Sequence, residues 1–143
     1  MKIKIKKIHK NAVIPSYTKT GDAGLDLICI SKEIKSQYIE YDTGLSMEIP
    51  TGYVGLLFSR SSVSKTSHIL ANGVGVVDSG YRGSIKLRYK KLSYYITMEN
   101  EEYNIGDRVG QIVIMQVPNI EFKETNKLSD TLRGENGFGS TGA

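Results

Sequence analysis

The chain has 143 residues, enough to bury a core as one domain without disulfide or metal staples, and too few for two roomy ones. With 24% charged and 39% hydrophobic residues it is not a wholly disordered chain, and its single cysteine excludes an internal disulfide. The net charge of +4 suits an anionic small molecule, while no apolar run approaches the length that spans a membrane.

Five lysines stand in the first ten residues, as in a nucleic-acid arm, but Ile3 and Ile5 alternate with Lys2, Lys4 and Lys6. That period of two reads as a strand with one solvated face, on which lysines discourage edge pairing. No apolar leader is visible, so the cytoplasm is the expected setting. Further strands are expected over 25–30, 38–41, 45–49, 54–58, 74–77, 84–89, 94–97 and 109–117. Cys29, between Ile28 and Ile30, reads as a small buried hydrophobe. Thr43-Gly44, Thr51-Gly52 and residues 104–107 read as turns, and Pro50 as a strand end. Only 61–70 suits a helix, of two or three turns at most, with Val63, Ile69 and Leu70 facing inward and serines weakening it. Beyond Pro118 the apolar content thins. The expected fold is all-β, an antiparallel sandwich or barrel with one short helix, and the division is a β domain over 1–122 followed by a flexible Gly-rich arm over 123–143.

Five clusters carry chemistry-bearing residues. Ala23-Gly24-Leu25-Asp26-Leu27 opens a strand, where Asp26 is a ligand contact or a solvated turn carboxylate. Arg60-Ser61-Ser62 follows a strand, either as a helix cap or as an oxyanion cradle with a forked cation and two hydroxyls. Residues 72–83, N-G-V-G-V-V-D-S-G-Y-R-G, have hairpin spacing, with one arm ending at Asp78 and the other starting near Arg82. Asn72, Asp78 and Tyr81 each have a structural role open to them. Gly73 and Gly75 inside a strand cost stability, and a ligand lying close to bare backbone is one reason to accept that cost. Residues 106–111, G-D-R-V-G-Q, put Gln111 into an apolar run where its amide must find a partner. Arg108 beside it reads equally as a salt-bridge residue. Residues 133–141, R-G-E-N-G-F-G-S-T, offer an arginine for phosphate and a ring for a base.

In order and spacing, the A-G-x-D-L, R-S-S, G-x-V-D-x-G-Y-R-G, G-x-R-x-x-Q and R-G-x-x-G-F-G-S-T signatures resemble the homotrimeric dUTPase family along essentially the whole chain. The resemblance implies a jelly-roll-like barrel that hydrolyses dUTP to dUMP and pyrophosphate. Asp78 would activate the water that attacks the α-phosphorus, and Arg60, Ser61, Ser62 and Gln111 would contact the phosphates, with Ser61 directed at the oxygen bridging α and β. It also implies Mg²⁺ held chiefly by the triphosphate, with Asp26 contacting it through water. Asn72 and the backbone from Gly73 through Val74 and Gly75 to Val77 would read uracil, and Tyr81 would lie beneath deoxyribose. Arg133 would close over the terminal phosphate and Phe138 over the base, with Gly139 and Ser140 also binding the substrate. Three sites would sit between three chains, with no nucleic acid or membrane partner. Ser59, Val63, Ser84 and Gly110 depart from the usual proline, leucine, glutamate and alanine, which puts only local rigidity in question. A dCTP deaminase or bifunctional relative would depend on a glutamate near the base and usually lacks the Asp-x-x-Tyr-Arg-Gly arrangement. A nucleotide-controlled regulatory binding protein of the same fold usually carries an inserted segment that is not evident here. A structural coat module would leave Gly73, Gly75, Arg133 and Phe138 together unexplained.

Overall fold

The computed structural model describes residues 1–92 and 102–137. Ten strands are described: β1 (Lys4–Lys7), β2 (Leu25–Ile28), β3 (Ser31–Ile34), β4 (Ile39–Asp42), β5 (Leu45–Glu48), β6 (Tyr53–Phe58), β7 (His68–Leu70), β8 (Gly75–Val77), β9 (Lys86–Lys91) and β10 (Arg108–Gln116). All pairings are antiparallel and make two four-stranded sheets, β2-β10-β6-β8 and β3-β4-β9-β7, with β1-β5 as a separate ribbon. The result is the all-β, jelly-roll-like sandwich that the alternating pattern predicts. The expected strand at 94–97 lies outside the described residues.

Alternation explains which face each strand buries. On β9, Leu87 and Tyr89 point into the core while Lys86, Arg88 and Lys90 point out. On β10 the register against β2 shifts between Arg108 and Gly110, so that Val109 and Ile112, three apart, are both buried at 0% and 1% exposure, and the two sheets meet where Tyr89 Oη donates to the Val109 carbonyl at 2.6 Å. The rings of Tyr41, Tyr89 and Tyr103 meet edge to face at 5.5–5.8 Å between centroids. Cys29 is fully buried as expected, and burial pushes its thiol up to about 11.

The turns fall where glycine permits them: Gly44, Gly52 and Gly106 have φ of 63°, 83° and 96°. The strands joined at Gly44 and at Gly52 do not pair with each other, because β4 lies with β3 and β9, β5 with β1, and β6 with β10 and β8. The helix expected over 61–70 is corrected to one 3₁₀ turn, Ser61–Lys65, followed by β7. Thr66 ends the turn in extended conformation, and the apolar pair Ile69-Leu70 joins a sheet in which Leu70 stands opposite Tyr89. Serine-rich sequence gave the helix too little propensity to hold those residues.

Candidate active site

Three paired strands bring the first group of site residues into a row. Gln111 on β10 stands opposite Asp26 on β2 and, on its other side, opposite Phe58 at the end of β6. Arg60, two residues past Phe58, therefore reaches Asp26 and donates from Nε to Oδ1 at 2.8 Å. Arg108 takes the other oxygen, with Nη1 3.2 Å from Oδ2. Its structural reading is thus the observed one, and its partner is a site residue.

The Gln111 amide donates to the Ser59 carbonyl at 3.2 Å. Gly24 makes room for it, since a Cβ there would lie 3.0 Å from Gln111 Cδ and nearer still to Oε1. Ser61 and Ser62 begin the 3₁₀ turn; Ser61 is exposed, and its carbonyl accepts from Ser64 Oγ at 2.8 Å. Two guanidiniums around one carboxylate leave this corner net positive. An arginine anchored through Nε keeps its two terminal nitrogens for a second, anionic partner.

The second group lines a cleft of ≈ 610 Å³. One wall is Asn72, Gly75, Val76, Val77, Asp78 and Tyr81; the other includes Tyr38 and the outward residues Lys86, Arg88 and Lys90 of β9. Gly73 and Val74 sit in the turn that precedes β8, next to that lining. Asp78 is exposed just past the end of β8, where the Tyr81 amide donates back to its carbonyl at 3.0 Å. Arg82 Nη1 closes this turn on the carbonyls of Ser79 at 2.6 Å and Tyr81 at 2.8 Å.

Two expectations about this segment are corrected. It is no hairpin: β8 pairs with β6, whereas β9 lies in the other sheet with β4 and β7. The glycines also have local reasons of their own. Gly73 turns the chain with φ of 67°, and a Cβ on Gly75 would press on Leu57 Cβ at 2.9 Å. The basic wall of β9 was missed in the sequence, although Lys86, Arg88 and Lys90 at a period of two were its signal.

None of Asp26, Arg60, Ser61, Ser62 or Gln111 lines the cleft that holds Asp78. Within one chain the two groups form separate surfaces. Arg133 donates from Nε to the Asn136 carbonyl at 3.0 Å, a contact inside the C-terminal arm. Phe138, Gly139 and Ser140 lie outside the described residues.

The dUTPase family model matches residues 10–142. The chain belongs to the dUTPase family. Deoxyuridine 5'-triphosphate nucleotidohydrolase of Hydrogenobaculum sp. (strain Y04AAS1) is 35% identical over 148 residues, covering 99% of each chain. Among solved structures, the Staphylococcus bacteriophage 80alpha dUTPase with dUPNHPP superposes with a TM-score of 0.84 at 30% identity, covering 99% of each chain. A variant of the dUTPase from phage phi11 of S. aureus, described with a structural Mg(II) ion, gives a TM-score of 0.74 at 27% identity, covering 89% of this chain and 98% of that one. The family resemblance carried by the five signatures therefore holds for the whole chain, and the sandwich is a dUTPase fold.

Proposed function

We infer that this chain hydrolyses dUTP to dUMP and pyrophosphate, through attack of water on the α-phosphorus. What carries the reading is the pairing, in a member of this family, of a net-positive corner built on Arg60 with a cleft that has Asp78 at its rim.

Asp78 takes the role of base. A carboxylate is a weak one, so its main contribution is to hold the water in line and stabilise the charge that develops on it. Arg60, Ser61, Ser62 and Gln111 bind the phosphates, and Ser61 donates to the bridging oxygen that leaves with pyrophosphate. Asn72 and the backbone of residues 73–77 read uracil, and Tyr81 lies under the sugar. The arm over 123–143 closes the site, with Arg133 on the terminal phosphate, Phe138 over the base and Gly139 and Ser140 also on the substrate, and closure excludes bulk water.

Mg²⁺ belongs with the substrate in this reading. Among the described residues there is no cluster of three or more His, Cys, Asp or Glu side chains that could cage a metal. Each Asp26 oxygen already holds an arginine, which leaves its remaining lone pairs for a link through water. Such a donor set suits an ion that keeps most of its waters and rides on the triphosphate. When bound, it neutralises phosphate charge.

Separate surfaces on one chain support a homotrimer in which each site takes its cleft from one chain, its phosphate corner from a neighbour and its arm from the third. The segment after β10 supports the same assembly, since Val117, Ile120 and Phe122 are 40%, 64% and 94% exposed on the single chain. Among the described residues no helix is long and apolar enough to cross a membrane. The cytoplasm, where a nucleoside triphosphate is supplied, is the proposed setting.

Pyrophosphate release measured side by side from dUTP, dTTP, dCTP and UTP tests the reading. A polar mismatch in the base reader is expected to cost dCTP about tenfold to a hundredfold in kcat/KM, while the methyl of dTTP and the 2′-hydroxyl of UTP are excluded sterically, so dUTP should dominate. Equal turnover of another nucleotide, or ammonia released from dCTP, would refute it.

A further inference from the structure

We propose that Gly83 is a specificity-determining residue: its bare Cα is the seat on which the Tyr81 ring rests, and so it sets how the ring meets the sugar. The proposal rests on the reading of Tyr81 as the residue beneath deoxyribose.

Gly83 is not needed for the turn. Its φ lies outside the left-handed region, so a side chain there is opposed by space and not by backbone strain. The space is taken by one ring: a Cβ on Gly83 would lie 3.0 Å from Tyr81 Cε2 and 2.5 Å from Cζ, with Oη closer still. Tyr81 Oη donates to the Ser84 carbonyl at 3.1 Å, which holds the ring down across Gly83.

The frame around the ring is tied at several points. Ser84 Oγ donates to Asp42 Oδ1, and that oxygen also accepts from the Gly44 amide at 2.7 Å. The Arg82 carbonyl accepts from Ser46 Oγ at 2.7 Å, while the Arg82 guanidinium grips the carbonyls of Ser79 and Tyr81. Tyr81 itself is 46% exposed on the cleft. With a tied backbone and a half-exposed ring, the ring is the part that yields to any atom added at position 83. A methyl there lifts the ring from its seat and changes the wall against the 2′ position, at little cost to the fold.

The test measures kcat/KM for dUTP and UTP in the full-length protein, its Gly83→Ala variant, and Tyr81→Ala with and without Gly83→Ala. Gly83→Ala should fold and assemble, and should lose about tenfold or more of the preference for dUTP over UTP, mostly through KM. In the Tyr81→Ala background the same substitution should change the preference no further, because its effect runs through the ring. Tyr81→Phe, which removes the hydroxyl bond but leaves the ring seated, should lose less preference than Tyr81→Ala. A folded Gly83→Ala variant with unaltered preference, or an equal loss in both backgrounds, would overturn the proposal. A Gly83→Ala chain that fails to fold would contradict it as well, since the ring is the part meant to give way. Absence of dUTP turnover in the unmodified protein would instead sink the reading of the site on which the proposal stands.

Discussion

Glu40 is the buried acid of the β4–β9 surface, only 7% exposed, with Lys86 Nζ at 2.6 Å on Oε1 and Arg88 Nε at 2.8 Å on Oε2. Arg88 also lies 4.7 Å from the centre of the Tyr38 ring, so one carboxylate organises much of the basic wall of the cleft. The hydrogen bond from Lys86, and then that from Arg88, holds the Glu40 carboxyl below its ordinary value. A depressed folded value means that the stabilisation is fully present above the unfolded value, about 4.3, and is lost as pH falls through the lower folded one. Glu40→Gln should cost about 1–3 kcal/mol at pH 7 in denaturant unfolding. The difference from the unsubstituted chain should shrink as pH drops below about 4.3, where that chain loses its own charge; a gap constant down to pH 3 would show that Glu40 acts by shape alone. At this scale the sequence was legible where a residue type has few uses. An arginine followed by two serines after a strand, and an amide in an apolar run, marked residues that the structure gathers beside Asp26. It was less legible at Gly73 and Gly75, whose turn and packing roles depend on Leu70 and Leu57, partners that local pattern does not name.

Among elements, β10 matters most to the site because it lies between β2 and β6 and so aligns Asp26, Gln111 and Phe58. Its register against β2 shifts between Arg108 and Gly110, which lets Arg108 turn back onto Asp26. Gly110, at that shift, is also tightly enclosed. A Cβ there would lie 2.8 Å from the Phe58 carbonyl and closer to Leu87 Cδ2. Gly110→Ala should therefore destabilise the fold by about 1–3 kcal/mol, read by chemical denaturation, and shortening the neighbour in Gly110→Ala/Leu87→Val should recover part of the loss. An unchanged midpoint for Gly110→Ala would contradict the tight contact. Most strands were legible from the period of two, β3 and β7 excepted, and turn positions from Thr-Gly pairs. Pairing was not, because β1 finds β5 and β2 finds β10 across long stretches of chain. β7 was hidden for a related reason: three residues carry no period of their own, and only Tyr89, Lys90 and Lys91 opposite them make a strand.

At the scale of the whole molecule, the chain presents a net-positive corner and a cleft that do not share lining residues, together with an exposed apolar segment leading to the arm. The central claim is that a working site joins the Asp78 of one chain to the Arg60 of another. It is tested most directly by complementation: Asp78→Asn and Arg60→Ala proteins, each expected to be inactive alone, are unfolded together, refolded as a mixture and assayed for pyrophosphate release from dUTP. Mixed assemblies contain sites with both residues intact, so the mixture should regain substantial activity while each variant refolded alone stays inactive. A mixture of confirmed hetero-assemblies that remains as inactive as its components would contradict the account.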